Sequence, residues 1–426
     1  MPMSELVMPA GTLEKLQFAC AYGADAVYAG MPKFSLRART NSFTEAELAE
    51  GIRYAHERGV KFFLTLNIFA RNRRIEGALA ALRSLLPLQP DAVILSDPGL
   101  VMLIRREHPD LELHLSTQAN TMNWAAAQFW QEQGIRRVIL PRELSIPEIA
   151  EIHARAPEIE LEVFVHGAMC VSYSGRCLLS SYLTHRDANL GVCANACRWQ
   201  YRLREERGAY ALEETERPGE FFPIEEDEHG AYILNSKDLC AIEYLRQLDE
   251  AGVTAFKIEG RTKSVYYLAH VGRAYRRGID AMRRGQPPDA QAFEDIAATA
   301  SREMMPGFLI DLPDEARQNY ARGFSAYSKY QFGGVAREYL SEKRLVKVDV
   351  RNRLAVGMML EFISPEGDVR QELRAMFALD GSPITEAHGG GTPVLIAVEQ
   401  AIPPFALLRL ALRDCLKDHE RLASPA

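Results

Sequence analysis

The first 265 residues repeat one unit: a short apolar run rich in β-forming residues, a loop with Gly, Pro, Asn or Asp, and a helical stretch. This alternation requires a parallel sheet, because each crossover helix returns the chain to the same end of the sheet. Eight strand candidates favour a closed barrel, so we predict an α/β fold with a TIM-like (β/α) barrel. The candidates are Glu5–Met8, Ala26–Tyr28, Phe62–Leu66, Ala92–Leu95, Leu111–Leu115, Val138–Leu140, Leu161–Val165 and Ala255–Ile258.

The spacing of the repeat breaks between residues 167 and 250, where a cysteine-rich segment is inserted. An excursion of that length after a barrel strand is usually functional. From residue 335 the pattern changes to alternating apolar and polar residues between turn signals. We therefore predict a barrel over residues 1–275, a helical connector over 276–334 and a small antiparallel, barrel-like β domain over 335–426.

The formal net charge of −7 argues against a protein that coats nucleic acid, because such proteins carry a basic excess. Arginines still cluster locally, at residues 71–74, 136–137 and 198–204, where solvated helix faces are the alternative interpretation. Neither a signal peptide nor an apolar run of about 18 residues is found. We expect a cytoplasmic protein without a membrane partner.

Four of the seven cysteines fall within 28 residues: Cys170, Cys177, Cys193 and Cys197. In a reducing compartment, clustered thiols are more often metal ligands or catalytic groups than disulfides. Soft sulfur ligands without a companion His select zinc or an iron–sulfur cluster. Paired zinc knuckles with two intervening residues are absent, which favours a [4Fe-4S] cluster. Zinc and a set of buried thiols stay open as alternatives.

The remaining three cysteines are assigned differently. Cys240 follows Asn235–Leu239 and is an alternative to Cys193 or Cys197 as the fourth ligand. Cys20 and Cys415 are predicted to be core thiols that act as small apolar residues.

The cysteine segment also resembles a known family, peptidase U32. Its signature, Glu-x-Phe-x-x-Gly-Ala/Ser-aliphatic-Cys followed by Gly-x-Cys, is matched within residues 162–177. The resemblance extends from residue 5 to the β domain. Its shorter matches are Met8–Gly11, Gly23–Tyr28, Ser116–Gln118, Asn235–Asp238 and Lys257–Arg261.

The resemblance implies an activity different from the family's name. Its members include collagenase-like peptidases, but also oxygen-independent hydroxylation factors that carry a [4Fe-4S] cluster and act on tRNA, ribosomal RNA or ubiquinone precursors. Residues 191–199 and the chain length look most like the branch that forms 5-hydroxyuridine at the tRNA wobble position with prephenate as co-substrate. The implied partners are tRNA and this small anionic co-substrate. A peptidase or a hydroxylase of another substrate is the alternative.

Hydroxylation needs an oxygen donor and electron transfer, so we expect an electron donor of unknown identity. Three residues at strand ends are predicted to be catalytic, because the carboxyl ends of barrel strands meet at one face. They are His166, Lys257 and Glu259. The alternatives are a structural role for His166 and, for Lys257, Glu259 and Arg261, an ion pair that closes the barrel. His114 is predicted to be a core or barrel-lining residue.

Five residues are predicted to bind substrate. Arg261 and Arg198 suit a carboxylate or phosphate. Asn67 and Gln118 suit a base edge or a ring hydroxyl. Tyr173 offers a face on which an extruded base can stack. No His-Glu-x-x-His pattern and no Gly-x-Ser-x-Gly elbow is present in the sequence, so the residues themselves offer no familiar hydrolytic machinery.

Overall fold

The structure is a computed structural model that describes most of the chain. The described residues are 4–31, 34–35, 43–169, 172–174, 176–177, 179–184, 186, 193–194, 196, 201–206, 209–214, 221–223, 238–300, 304–310, 330–390 and 392–411. The chain divides into two compact units. The barrel unit comprises residues 1–16, 25–262 and 302–324, and the β-domain unit comprises residues 17–24, 263–301 and 325–426.

The barrel unit contains the long parallel strands. Its described strands are β1 (Glu5–Ala10), β2 (Ala26–Gly30), β3 (Lys61–Leu66), β4 (Ala92–Leu95), β5 (Leu113–Leu115), β6 (Arg137–Ile139), β7 (Glu160–Gly167), β8 (Tyr201–Glu206), β9 (Ala209–Glu214), β10 (Phe221–Pro223), β11 (Asp238–Cys240), β12 (Val253–Ile258) and β13 (Met304–Met305).

The predicted barrel is confirmed. Strands β1 to β7 pair in chain order and in parallel, and β12 pairs with both β1 and β7, which closes an eight-stranded ring. All eight strand candidates coincide with these strands, although β5 begins at Leu113 rather than Leu111. Several strands are buried over almost their whole length, as in β2 and β4, because a parallel barrel is covered on both faces.

Helices follow most of these strands. The described helices are α1 (Leu13–Ala21), α2 (Glu45–His56), α3 (Asn72–Leu85), α4 (Pro98–Glu107), α5 (Trp124–Glu132), α6 (Ile146–Arg155), α7 (Leu179–Thr184), α8 (Leu245–Glu250), α9 (Val265–Arg283) and α10 (Ala290–Thr299). None of them is both long and apolar enough to cross a bilayer.

Local sequence explains where several helices begin. Thr44 and Glu47 form a capping box at the start of α2, in which each side chain bonds the other's backbone N–H. Asp97 accepts a hydrogen bond from the backbone N–H of Leu100 at 3.0 Å, and Pro98 occupies the first position of α4. These signals set the helix starts at the carboxyl ends of the strands.

The insertion after β7 contains two pieces of sheet. Strands β8, β9 and β10 form an antiparallel sheet of their own. Strand β11 pairs antiparallel with the end of β7, and β13 pairs with β11, so both extend the barrel sheet at that point. The insertion therefore returns to the carboxyl end of β7.

The described residues of the β-domain unit contain ten further strands. They are β14 (Tyr330–Leu340), β15 (Leu345–Val350), β16 (Leu354–Ala355), β17 (Met359–Ile363), β18 (Val369–Glu372), β19 (Met376–Phe377), β20 (Pro383–Ile384), β21 (Glu386–Ala387), β22 (Val394–Ala397) and β23 (Leu407–Ala411). Eight of them form an antiparallel sheet in the order β18-β17-β23-β14-β15-β22-β19-β20. The predicted small antiparallel domain is confirmed.

The buried apolar residues of this unit form two clusters, one within the sheet and a second in which Tyr266 and Ala269 of α9 pack with Val335 and Leu407. Side chains alternate between buried and half-buried along β15, and Val346, Val348, Leu360, Phe362 and Leu408 are fully buried or nearly so. Helices α9 and α10 group with this sheet in the same unit. The boundaries that the sequence predicts at residues 275 and 334 stay predictions.

Candidate active site

Charged side chains occupy the interior of the barrel, where apolar residues are more usual. Glu162 on β7 is fully buried and accepts hydrogen bonds from Lys257 Nζ at 2.5 Å and Arg137 Nη1 at 3.3 Å. Arg137 on β6 also donates to Glu5 on β1 at 2.8 Å. Since β6 and β1 are not neighbours in the sheet, the Arg137 guanidinium crosses the barrel interior.

The contacts with Lys257 and Arg137 determine the protonation state of the Glu162 carboxyl group. Burial pushes the pKa of Glu162 up, but Lys257 and Arg137 outweigh it and hold the pKa below its ordinary value. Burial lowers the pKa of Lys257, and Glu162 opposes that shift. The ion pair that was the alternative for Lys257 is thus present, and its catalytic role stays a prediction.

Two cations lie on the ring of Tyr28, near the carboxyl ends of β2 and β12. Lys257 Nζ is 4.1 Å and Arg261 Cζ is 5.8 Å from the ring centroid. The Tyr28 hydroxyl donates to the backbone carbonyl of Ile258 at 2.9 Å, which fixes the ring. Arg261 is buried, and a Cβ at Gly30 would lie only 3.0 Å from its Nη1. Gly30 therefore gives this guanidinium its space.

Arg142 is a third cation at this end of the barrel, and sequence reasoning did not select it. Its Cζ lies 3.8 Å from the ring centroid of Phe164 on β7. Lys257 Nζ lies 5.8 Å from the same centroid, so Arg142 and Lys257 share the ring of Phe164, as Lys257 and Arg261 share the ring of Tyr28. Arg142 forms no ion pair within the described part of the chain. Its position after the sixth strand was the available signal.

Neutral polar groups line the ends of β3, β4 and β5. The side-chain amide oxygen (Oε1) of Gln118 accepts hydrogen bonds from Ser116, from Ser96 at 3.4 Å and from Asn67 at 3.5 Å. Asn67, Ser96 and Ser116 are buried, and Gln118 is half-buried. The structure thus brings together the predicted binding residues Asn67 and Gln118. Amide and hydroxyl groups of this kind suit the hydroxyls and carbonyls of a ring.

The segment just before Cys177 is held close to these polar residues. Arg176, directly before Cys177, donates from Nε to the backbone carbonyl of Gln118 at 2.8 Å. Ser174 has a φ of 49°, and its hydroxyl hydrogen-bonds Asn120. The backbone N–H of Ser174 donates to Glu143 at 2.5 Å. Loops after β5 and β6 therefore hold the segment before Cys177 at the carboxyl face.

Helix α7 joins the segments that carry Cys177 and Cys193. Its Ser180 hydroxyl accepts from the backbone N–H of Ala194 at 2.8 Å and donates to the carbonyl of Arg186 at 2.7 Å. Arg186 in turn donates to the carbonyl of Cys193 at 3.1 Å. Both cysteines are half-buried.

Cys240 lies opposite His166 in the antiparallel pairing of β11 with β7. His166 is buried, and its carbonyl accepts from the backbone N–H of Glu259 at 2.9 Å. The backbone of Cys240 thus lies beside a residue four positions before Cys170. The structure brings His166 and Glu259 together through their backbones, and their predicted catalytic roles stay predictions.

Several predicted residues lie outside the described residues: Cys170, Cys197 and Arg198, together with the predicted core thiol Cys415. Within the described residues no group of three or more His, Cys, Asp or Glu side chains is arranged to hold a metal. Tyr173 is 57% exposed, as a stacking surface requires. His114 is fully buried against Phe63, with ring centroids 4.7 Å apart, which agrees with its predicted barrel-lining role.

The fold and the site define a class: a closed (β/α) barrel with a cysteine-bearing loop at its carboxyl face and a small antiparallel β domain. The family model "Peptidase family U32" matches residues 11–319, and "Peptidase family U32 C-terminal domain" matches residues 328–409. The chain belongs to peptidase family U32.

Three curated relatives carry names that describe RNA chemistry. The chain is 43% identical to tRNA hydroxylation protein P of Escherichia coli strain K12, over 95% of this chain and 96% of that protein. It is 40% identical to tRNA hydroxylation protein P of Haemophilus influenzae, over 93% and 94% of the two chains. It is 35% identical to 23S rRNA 5-hydroxycytidine C2501 synthase of Escherichia coli, over 65% of this chain and 39% of that protein.

Proposed function

We propose that this protein is a tRNA-modifying hydroxylase that forms 5-hydroxyuridine at the wobble position, with prephenate as co-substrate. The observation that carries the proposal is 43% identity, over nearly the whole of both chains, to a protein named tRNA hydroxylation protein P. The relative named as a ribosomal RNA 5-hydroxycytidine synthase supports hydroxylation of a pyrimidine. A tRNA substrate agrees with the expected cytoplasmic location.

The proposed cofactor is a [4Fe-4S] cluster held by Cys170, Cys177, Cys193 and a fourth cysteine. The fit is supported by the chemistry of the thiols and by Ser180 and Arg186, which tie the segments of Cys177 and Cys193 together. The cluster would supply one-electron transfer, which no side chain in this site provides. Both Cys197 and Cys240 remain candidates for the fourth ligand, and the pairing of β11 with β7 favours Cys240.

Variants distinguish the two candidates for the fourth ligand. Anaerobically purified Cys197→Ala and Cys240→Ala proteins are compared with wild type for iron, sulfide and absorbance near 400 nm. The variant that loses a ligand is expected to lose most of this absorbance, and the other is expected to keep it. A colourless wild-type protein that holds one zinc ion would contradict the cluster.

The cationic part of the barrel mouth is the proposed site for the co-substrate. Prephenate is a dicarboxylate with a ring hydroxyl, and planar guanidiniums bind carboxylates with two parallel hydrogen bonds. Arg261 and Arg142 each share an aromatic ring with Lys257, which adds a third positive charge beside Glu162. Asn67 and Gln118 would bind the ring hydroxyl or the edge of the uracil. Tyr173 would stack on the base, and Arg198 would bind a phosphate.

The atom balance of the reaction defines the remaining partner. Replacing hydrogen by hydroxyl at C5 of uracil breaks one C–H bond and forms one C–O bond. If the co-substrate releases hydroxide while its ring loses carbon dioxide and becomes aromatic, the uracil must give up one proton and two electrons. Two equivalents of an oxidised one-electron carrier protein would then accept these electrons in succession, so the proposed redox partner is an electron acceptor in place of the expected electron donor.

In this proposal, a side chain at the barrel mouth accepts the proton from C5 of uracil. Burial lowers the pKa of Lys257, which makes proton exchange easier for its ammonium group than for an exposed lysine. His166 and Glu259 meet at the ends of β7 and β12. We assign the C5 proton to one of these three groups. Replacement of that group is expected to lower the rate of hydroxylation more than the affinity for tRNA.

A peptidase is the alternative that the family's name suggests, and hydroxylation of ribosomal RNA or a ubiquinone precursor is another. Mass spectrometry of tRNA nucleosides from a deletion strain tests them together. Loss of 5-hydroxyuridine, restored by the wild-type gene but not by Cys170→Ala, is the expected result. Unchanged 5-hydroxyuridine in the deletion strain would refute the tRNA assignment, and analysis of ribosomal RNA nucleosides and ubiquinone precursors would then identify another substrate.

A further inference from the structure

Four arginines, which we call the basic rim, lie beside the polar part of the barrel mouth. Arg71, Arg73 and Arg74 follow β3 and open helix α3, and Arg176 precedes Cys177. Arg71, Arg73 and Arg176 are exposed, and Arg74 is half-buried. The first three formed a cluster in the sequence that a solvated helix face could have explained.

The structure makes one surface from two distant segments. Arg176 Cζ lies 4.8 Å from the ring centroid of Phe69, which belongs to the loop between β3 and α3. The bond from Arg176 Nε to the carbonyl of Gln118 fixes the guanidinium beside a predicted substrate residue. Arg74 lies over the ring of Phe34, with its Cζ 5.4 Å from the centroid. The basic rim therefore adjoins the mouth on the side of β3 and β5.

Two arginines of the basic rim have no acidic partner among the described residues. Arg73 and Arg176 form no ion pair with any residue that the structure describes, and the first turn of α3 has no acidic residue. Asp97, which is close by in the loop after β4, accepts from the backbone N–H groups of Ala70 at 3.1 Å and Leu100 at 3.0 Å. Arg73 and Arg176 therefore place two exposed positive charges without a described ion-pair partner beside the mouth, in a chain whose formal net charge is −7.

We propose that the basic rim binds the phosphates that flank the target nucleotide of tRNA, and so delivers its base to the barrel mouth. Exposed guanidiniums interleaved with aromatic rings bind a polyanionic strand, because phosphate contacts release counterions and hold the register of the strand. The proposal rests on the proposed function for its partner. An acidic electron-carrier protein is the competing occupant of the same surface.

Binding of unmodified tRNA to the full-length protein, followed by fluorescence anisotropy between 50 and 300 mM salt, tests the rim. Arg73→Gln and Arg176→Gln are each expected to raise Kd about fivefold at 100 mM salt and to reduce the slope of log K against log salt by about 1. Arg106→Gln is the matched control, because Arg106 is an exposed arginine in the last turn of α4, at the other end of the barrel.

Arg176→Lys separates charge from loop structure. Lysine keeps the positive charge for phosphate but loses the Nε–H donor to Gln118, so wild-type salt dependence is expected. Wild-type Kd and slope in both Gln variants, or an equal effect of Arg106→Gln, would overturn the rim while leaving the proposed function intact. If the two Gln variants bind tRNA normally but lose the hydroxylation activity that requires the electron carrier, the rim would be assigned to that carrier. Failure of the wild-type protein to bind tRNA would overturn both proposals.

Discussion

At the scale of single residues, the buried carboxylate of Glu162 is the key contact of the barrel interior. It faces two cations, Lys257 and Arg137, that are themselves almost fully buried. A buried pair stabilises little compared with apolar residues, but removing one partner leaves an uncompensated charge. The stability of the barrel unit therefore depends on the whole set of charges.

Glu162→Gln removes the negative charge and keeps the shape. We expect it to lower the free energy of unfolding by about 3–5 kcal/mol, because Lys257 and Arg137 then lose their shared counter-charge. Urea unfolding measures the change. Glu151→Gln is the control, since it breaks the exposed pair with Arg155 on α6 and should cost only about 0.3–0.5 kcal/mol. Equal losses of unfolding free energy in the two variants would contradict a larger contribution from the buried pair than from the exposed pair.

His270 gives the β-domain unit a defined dependence on pH. It is fully buried on α9, with Nδ1 2.9 Å from the backbone carbonyl of Tyr266. Burial lowers the pKa of His270 from 6.5 to about 3, helped by the charges of Arg273 and Arg409. Between these values the unfolded chain binds a proton that the folded chain does not, so stability falls as pH falls below 6.5.

The expected size of this effect is about 1.4 kcal/mol between pH 7.5 and pH 5.5 for the single proton. His270→Phe removes the titrating group and should remove this difference from the unfolding free energy, whatever its effect at neutral pH. Urea unfolding of both proteins at the two pH values checks it. If the pH dependence of the variant equals that of wild type, His270 is not the group responsible.

At the scale of elements, helix α7 connects the segments that carry Cys177 and Cys193. It is six residues long, and its Ser180 hydroxyl bonds the backbone N–H of Ala194, next to Cys193, and the backbone carbonyl of Arg186. Gly167, which ends β7 with a φ of 111°, turns the chain towards this loop in a conformation that other residues rarely adopt. The segments of Cys177 and Cys193 are thus positioned by individual hydrogen bonds more than by regular structure.

Ser180→Ala tests this connector. Loss of the hydroxyl frees the N–H of Ala194, so we expect the fold to persist while the purified protein carries less iron and loses it faster to a chelator. Thr184→Val is the matched control, because among the described residues the Thr184 hydroxyl bonds only the Ser180 carbonyl, at 2.6 Å on the same helix. Equal iron retention in Ser180→Ala and wild type would show that the contact does not position a ligand.

At the scale of the whole molecule, each unit contains its own buried charge cluster. In the β-domain unit, Arg273 on α9 binds Asp295 on α10 through two hydrogen bonds of 2.6 and 2.7 Å and also contacts Asp368. The Asp295 side chain is completely buried. The cluster thereby joins two helices to the sheet of the same unit, since Asp368 directly precedes β18.

Arg273→Met should lower the free energy of unfolding by about 3–5 kcal/mol, because Asp295 would remain buried with only Arg409, at 4.0 Å, as a cation. Arg277→Met on the same helix is the control. Its pair with Asp289 is solvent-exposed and should contribute less than about 1 kcal/mol. Thermal or urea unfolding of the two variants compares them, and a similar loss in both would contradict a special role for the buried pair.

The sequence by itself determined the eight barrel strands, their parallel order and the antiparallel C-terminal sheet. Periodic burial along a strand or helix depends on neighbouring residues, so it can be predicted from local patterns. The sequence also singled out Asn67, Gln118 and the cysteine segment, because strand ends and clustered thiols carry local signals.

Only the tertiary structure decided which of these residues meet. Arg137 contacts Glu5 across 132 positions of the chain, Arg176 packs on Phe69, Arg142 packs on Phe164, and Cys240 pairs with His166. Such contacts follow from the closure of the barrel and from the path of the insertion, which bring residues from distant parts of the chain together. No local pattern encodes them, because their energies depend on which charges end up buried together.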